Sequence, residues 1–152
     1  MKKILWSILL LGIMTLGVLG CEKSKNELDI GNKSNIKISQ NDVIMTVKKG
    51  TLTNKSATLV LTNNSDKNFQ YGNPYEIEIK KDGEWHKINV ELNFDIPAFQ
   101  LPAKESKEIK LDWKIGYGKL AKGTYRIIKG IDYKVEEGKY ETFNVAAEFT
   151  ID

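Results

Sequence analysis

Only one cysteine, Cys21, and one histidine, His86, are available for nucleophilic or metal chemistry in this 152-residue chain. A nucleophile activated by histidine would have to use His86, which stands beside Lys87 and is expected at an exposed strand end. Zinc sites require several histidine or cysteine ligands, and the sequence does not supply them. The adjacent acids Glu136 and Glu137 lie in a polar connection before the last strand. We therefore predict no catalytic residue, no metal ligand and no cofactor, and we do not expect an enzyme.

Cys21 ends a segment that has the composition of an export signal. Lys2 and Lys3 precede an apolar run from Ile4 to Leu19. This run is shorter than the roughly 20 residues that a permanent transmembrane helix needs. Its end, Val18-Leu19-Gly20-Cys21, resembles the lipobox of bacterial lipoproteins.

The lipobox resemblance implies that a peptidase removes residues 1–20 and that the thiol of Cys21 receives a diacylglycerol. Two acyl chains hold a protein on a membrane far more firmly than one chain. We therefore expect a protein that Cys21 anchors to the outer face of the bacterial cell membrane. The alternative is a buried or incidental cysteine behind an uncleaved apolar anchor.

The residues after Cys21 predict a tether. The sequence "EKSKNELDIGNKSN", residues 22–35, is polar, has no aromatic residue and shows neither the helix nor the strand period. As a flexible coil, such a segment would span roughly 20 Å on average. The sequence thus predicts a lipidated cysteine and flexible tether over 21–35, followed by one domain over 36–152.

The charge balance of the chain argues against one class of partner. Without Lys2 and Lys3, the chain carries 21 basic and 20 acidic residues, and the two signs are interleaved. A protein that binds nucleic acid through its phosphates needs a clear excess of positive charge. We therefore expect no nucleic-acid partner.

From residue 43 onward, apolar residues recur at every second position, which is typical of half-buried strands. Seven strands are predicted, over residues 43–47, 57–61, 75–79, 85–90, 109–113, 125–131 and 143–151. Asp82-Gly83 has the composition of a tight hairpin turn, and "NNSDKN", residues 63–68, reads as a turn rather than a calcium loop. No amphipathic helix is expected. The pattern predicts an all-β protein, an immunoglobulin-like antiparallel β-sandwich, with an open barrel as the lesser alternative.

Two aromatic residues are predicted to hold the sandwich together. Tyr125 follows a turn at the start of the sixth strand, where a tyrosine hydroxyl can bond back to an upstream backbone group, the "tyrosine corner". Ile127 stands two residues later, where antibody domains place a cysteine. Trp113 follows the inward phase of its strand and is assigned to the core.

Four segments carry a resemblance to a known family: "GTLTNKSATLVLTNNSDK", "YGNPYEIEIKKDGEWHKI", "YGKLAKGTYRIIKG" and "AAEFTID". Together they are similar to the bacterial immunoglobulin-like domain found in surface lipoproteins of Gram-positive bacteria. The resemblance runs from about residue 43 to residue 152. It implies a sandwich fold and an extracellular setting, and it brings no catalytic residues.

Arg126 is the first candidate for binding, because it is the only arginine in the chain. Its planar guanidinium, retained among lysines, indicates a fixed partner. Its phase directs it away from the core, and the expected partner is Glu148 or Asp112 rather than a ligand.

Three aromatic residues in or beside predicted loops, Tyr71, Trp85 and Tyr117, are the other candidates. Exposed aromatic rings on a sandwich can stack on sugars or become buried in a protein partner. Packing in the core or at a sheet edge is nevertheless the favoured interpretation for the three.

Together these features predict a membrane-anchored lipoprotein whose single domain is a non-catalytic binding or protein-interaction module. The partner would be a surface protein or a cell-wall component. A module that binds cell-wall carbohydrate is the alternative, and it would show exposed aromatic rings beside amides and acids. A hydrolase is the least favoured class, and it would show a concave site with converging acids.

Overall fold

The computed structural model of the chain describes residues 28–39, 42–95 and 97–152. Cys21, the predicted signal peptide and the first part of the predicted tether lie outside these ranges. Within them, every regular element is a β-strand, and we find no helix that could span a membrane.

Ten strands are formed by the described residues. They are β1 (Ile30–Lys33), β2 (Val43–Val47), β3 (Ser56–Asn63), β4 (Phe69–Tyr71), β5 (Glu76–Lys81), β6 (Glu84–Ile88), β7 (Phe99–Leu101), β8 (Ser106–Asp112), β9 (Gly123–Glu136) and β10 (Lys139–Ile151). All the strand pairs are antiparallel. Seven strands form one sheet, and β2, β3 and β8 form the other. The predicted all-β sandwich is confirmed.

The large sheet divides along the length of β9. On one edge, β9 pairs with β10 over its whole length. On the other edge, its first half pairs with β5, which continues to β6 and β1, and its second half pairs with β4, which continues to β7. The end of the sheet near Glu136 and Lys139 therefore contains different strands from the end near Gly123.

The core lies between the two sheets and follows the predicted alternation. Val43, Met45, Leu59, Leu61 and Ile77 are buried on the inner faces. Trp113 is fully buried, with its ring centroid 5.8 Å from that of Phe149, which confirms its assignment to the core.

Two of the predicted local devices are present. The Tyr125 hydroxyl donates a hydrogen bond to the Ala121 carbonyl at 2.9 Å, which is the predicted backbone contact of the tyrosine corner. Asp82 and Gly83 have φ values of 50° and 83°, as a tight hairpin turn requires.

The strand count differs from the prediction because three strands are very short. β1, β4 and β7 contain only three or four residues each, too few for a period of two to stand out in the sequence.

The predicted tether is wrong for residues 30–33, because these residues form β1 and pair with β6. The ordered fold thus begins before residue 36. Ile30 faces Ile88 across the pair, so an apolar contact and a strand edge order a segment that is polar on average.

Residues 34–39, which we call the strap, cross the outer face of the large sheet. The Ser34 amide donates to the Trp85 carbonyl on β6, and the Ser39 amide donates to the Asn144 carbonyl on β10, both at 2.8 Å. Between these two bonds, Ile36 shares a cleft with Glu76 on β5 and with Ile128 and Gly130 on β9. The strap therefore passes over β5 and β9.

Candidate functional site

The described residues form a groove of about 780 Å³. It lies at the end of the sandwich where the β9–β10 hairpin extends past the small sheet. We call it the open-end groove. Its lining comes from the end of the strap, the residue before β2, the β3–β4 turn, β4, the β7–β8 turn and the hairpin.

Three aromatic rings form the apolar part of the open-end groove. Phe69 is buried, whereas Tyr133 and Phe143 are half-buried. The Phe69 ring meets the other two edge to face, with centroids 6.2 Å from Tyr133 and 5.6 Å from Phe143. Edge-to-face contacts of this kind fix the rings relative to one another. The groove therefore has a rigid aromatic floor that is only partly covered.

The rim of the groove is polar and carries both signs of charge. Lys104 forms an ion pair with Asp66, with 3.1 Å between Nζ and Oδ1, and also donates to the Asn64 carbonyl at 2.7 Å. The Tyr133 hydroxyl donates to the Glu141 carboxylate, which raises the pKa of Tyr133. Such a rim can hydrogen-bond a polar ligand of either sign.

Acids line the groove, but they do not form a cluster that could hold a metal ion, and none of the described residues form such a cluster elsewhere. The Asp66 side chain is 92% exposed and paired with Lys104. His86 is half-buried on β6, with Nδ1 3.4 Å from the Gly31 carbonyl oxygen, so the expectation of an exposed strand end is wrong.

The turn beside the groove is held by one side chain, that of Asn63. Its amide nitrogen donates to the carbonyls of Lys67 and Pro102, at 2.7 and 2.9 Å. Its amide oxygen accepts from the backbone and the hydroxyl of Ser65. The predicted turn is present over residues 64–68, with Asn63 as the last residue of β3.

Two of the aromatic candidates lie in the core, as the favoured interpretation of core or edge packing predicts, so neither presents a surface ring for binding. Tyr71 is buried, and its ring centroid lies 5.4 Å from that of Phe99. Tyr117 is also buried, and its hydroxyl accepts a hydrogen bond from the Ile77 amide at 2.9 Å. Burial raises the pKa of Tyr117 to about 12. Both residues are therefore packing residues of the core.

The other two candidates, Trp85 and Arg126, lie together on the outer face of the large sheet. The guanidinium carbon of Arg126 is 4.7 Å from the centroid of the half-buried Trp85 ring. The expected partners of Arg126 are wrong: its partner is Glu78, with Nε and Nη2 at 2.7 and 2.6 Å from Oε2. Glu148 is the cross-strand neighbour of Arg126 but is exposed.

Register and burial explain why Arg126 pairs with Glu78. The two residues are cross-strand neighbours on β9 and β5. Their side chains are only 10% and 0% exposed, on strands whose outer face the strap crosses. A buried charge requires a partner that is close and equally desolvated. Oε1 of Glu78 has no hydrogen-bond partner among the described residues, so the pair is held through one carboxylate oxygen.

A second buried cation, Lys129, joins β4 to β5. These strands follow one another along the same edge of β9, with a break at residues 72–75. The ammonium of Lys129 donates to the carbonyls of Gly72, Asn73 and Pro74, at 2.8, 3.3 and 3.0 Å. Burial lowers the pKa of Lys129 to about 8. Lys129 therefore supplies donors to carbonyls at a break in the sheet and is a structural residue.

A row of polar side chains crosses the outer face of the sheet at its open end. Gln100, Gln70, Asp132 and Thr142 are cross-strand neighbours on β7, β4, β9 and β10. Tyr140, 49% exposed, lies near this polar row at the tip of the hairpin.

Sequence reasoning missed both surfaces at the open end. Phe143 takes the same phase of the last strand as the core residue Val145, and nothing in the sequence singles out Tyr133 or Tyr140. The available signal is the length of the last hairpin, since a mostly charged segment, residues 134–141, separates two apolar runs that the small sheet is too short to cover.

Comparison with known proteins agrees with this architecture. Residues 39–150 match the family model of the bacterial Ig-like domain. No curated protein matches the chain. The match covers β2 to β10 and leaves out β1 and most of the strap. With most of its sandwich inside this match, the chain belongs to the bacterial Ig-like domain family.

Proposed function

We propose that the protein is a lipoprotein, anchored through a diacylglycerol on Cys21 to the outer face of the bacterial membrane, whose Ig-like domain binds a surface protein. Membership of the bacterial Ig-like domain family supports a non-catalytic interaction module. The observation that carries the proposal is the open-end groove, with its aromatic floor and mixed-charge rim.

The chemistry of the groove favours a protein segment as the ligand. Its apolar floor is provided by Phe69, Tyr133 and Phe143, which offer partly covered ring surface for an apolar side chain. Aromatic residues surrounded by a polar rim are typical of protein interfaces. The rim acids are exposed or engaged with neighbours, which suits hydrogen bonding better than acid–base catalysis.

The anchor is tested separately from the groove. Growth with a clickable fatty acid should label the protein, and Cys21→Ala should remove the label. If the wild-type protein acquired no label, the anchoring part of the proposal would be wrong.

The groove is tested with a photo-crosslinking amino acid placed in the full chain on intact cells. Position 67 is the test site, because Lys67 is exposed and lines the groove. Position 110 is the matched control, because Lys110 is exposed on β8 of the small sheet. We expect a discrete adduct from position 67 that is lost with Phe143→Ala and absent from position 110. The same adducts from both positions would contradict the proposal.

One observation favours the carbohydrate alternative, namely the polar row with Tyr140 beside it. Amides, an acid, a hydroxyl and an exposed ring on one face are the groups that hydrogen-bond and stack on sugars. Co-sedimentation with purified cell wall that was saturable and lost with Tyr140→Ala would support this alternative. Gln100→Ala should weaken the same binding, whereas Phe143→Ala should leave it unchanged.

A further inference from the structure

Ile115 is the most exposed large apolar residue in the described part of the chain, at 99%. It lies in the segment between β8 and β9, and we call residues 114–119 the docking loop. The other exposed large apolar residues keep a substantial part of their side chains covered: Ile44 is 48% exposed, Phe99 41%, Val135 36% and Tyr140 49%. An isoleucine without apolar contacts is unfavourable in water, so a surface that covers it gains free energy.

The docking loop is positively charged. Lys114 and Lys119 stand on either side of Ile115, and both are exposed. No acidic residue occurs between Trp113 and Ile131. The nearby acids are Asp112, which accepts a hydrogen bond from the Lys114 amide at 2.9 Å, and Asp29. An apolar tip between two lysines complements a surface that is apolar inside and anionic at its boundary.

The chain enters the fold beside this loop. Leu28 and Asp29 share a cleft of about 280 Å³ with residues of the docking loop. Seven residue steps separate Leu28 from Cys21, which limits the distance between them to about 25 Å. If Cys21 carries a lipid, its attachment point lies within this distance of Leu28 and the loop can reach the bilayer.

We infer that the docking loop contacts the outer leaflet, with Ile115 at the boundary of headgroups and acyl chains and the two lysines on anionic headgroups. This inference rests on the lipid anchor proposed above. Each lysine near an anionic bilayer increases binding by about fivefold. Such weak binding is sufficient in a tethered domain, because a short tether gives the loop a high effective concentration at the surface.

Contact through the docking loop fixes the direction of the open-end groove. β9 begins at Gly123, just after the loop, and reaches the groove at Tyr133. Ten residues of strand rise roughly 33 Å. A domain that stands on the loop therefore holds its groove roughly 30 Å away from the membrane, where a partner on the cell surface can reach it.

The test supplies the anchor chemically, so it does not depend on lipidation in cells. All of the core residues lie between 28 and 152, so the chain 21–152 contains the whole sandwich. Its single cysteine, Cys21, is coupled to a maleimide lipid in vesicles. Ile115→Trp places a fluorescent reporter at the loop tip, and Ile44→Trp places one on an exposed strand as the matched control. Quenching by brominated lipids reports contact with the acyl region, after subtraction of the signal from the unsubstituted chain.

On vesicles that contain anionic lipid, we expect several-fold stronger quenching at position 115 than at position 44. Lys114→Glu with Lys119→Glu should reduce it, and vesicles of zwitterionic lipid alone should do the same. Equal quenching at the two positions would overturn the inference. A change in fluorescence that followed the surface density of the protein, without quenching by lipid, would indicate contact with a second copy and would also overturn it. Loss of labelling in Cys21→Ala cells concerns the anchor alone.

Discussion

Removal of the Arg126 guanidinium should strongly destabilise the sandwich. In Arg126→Met, the Glu78 carboxylate loses its two hydrogen-bond donors but stays under the strap, where it is fully buried. At an effective dielectric constant of 20, two charges ~4 Å apart attract each other by about 4 kcal/mol. Breaking a buried pair by removing one partner costs about 3–5 kcal/mol, since the other charge is left uncompensated. We therefore expect the free energy of unfolding to fall by about this amount.

Urea unfolding followed by tryptophan fluorescence measures the effect. With a slope of ~2 kcal/mol per molar urea, a loss of about 4 kcal/mol lowers the midpoint by roughly 2 M. The double variant Arg126→Met with Glu78→Leu should recover most of this loss, because no buried charge remains. Lys33→Met, which breaks the exposed pair with Glu84, is the control and should leave the midpoint unchanged. A midpoint for Arg126→Met equal to that of the control would refute the reasoning.

Three further predictions concern single residues. Tyr125→Phe removes the hydrogen bond to the Ala121 carbonyl and should lower the free energy of unfolding in urea by about 1 kcal/mol. An unchanged free energy would mean that this hydrogen bond does not stabilise the fold. Gly83→Ala forces a side chain into a position with φ of 83° and should cost about 1 kcal/mol, whereas an unchanged midpoint would argue against this turn geometry. The pKa of Lys129 is lowered from 10.5 to about 8 in the fold, so the unfolded chain binds more protons between these values and stability should rise with pH from about 8 to 10. The free energy of unfolding should rise by at most ~1.4 kcal/mol per pH unit. Above pH 10 the raised pKa of Tyr117 opposes this rise, because Tyr117 loses its proton in the unfolded chain before it does so in the fold. Urea unfolding at pH 8 and at pH 10 measures this rise in stability, and Lys129→Met should abolish it. An identical rise in the variant would show that another group causes it.

The sequence was sufficient for features that depend on residues close together along the chain. Alternation placed Leu59 and Leu61 in the core because a strand sends every second side chain to the same face. The turn at Asp82-Gly83 and the corner at Tyr125 depend on backbone geometry within a few residues. Such local rules hold wherever the surrounding sheet is placed.

Features that depend on distant segments could not be predicted in the same way. Alternation assigned Glu78 to the surface, and it does point away from the core, but the strap covers that face. The strap crosses the sheet face on which Glu78 lies, but it precedes Glu78 by about forty residues in the sequence. The spacing of apolar residues along one strand therefore cannot reveal that this face is covered. The open-end groove is of the same kind, because it exists only where β9 and β10 extend past the small sheet.

The segment from residue 28 to residue 39 connects the proposed anchor to the outer face of the large sheet, on which the buried charges of Arg126 and Glu78 lie. Its β1 strand extends the large sheet at one edge, and its strap passes across β5 and β9 to β10. Most of this segment lies outside the match to the bacterial Ig-like domain, yet it crosses the sheet face on which the buried pair of Arg126 and Glu78 lies inside the match. Since desolvation of a buried pair is offset only by close contact between its charges, the pair sits on a face that includes a segment outside the family pattern. The same segment begins beside the docking loop at Leu28 and reaches the open-end groove at Ser39, so it would place the membrane contact and the groove at separate ends of the domain.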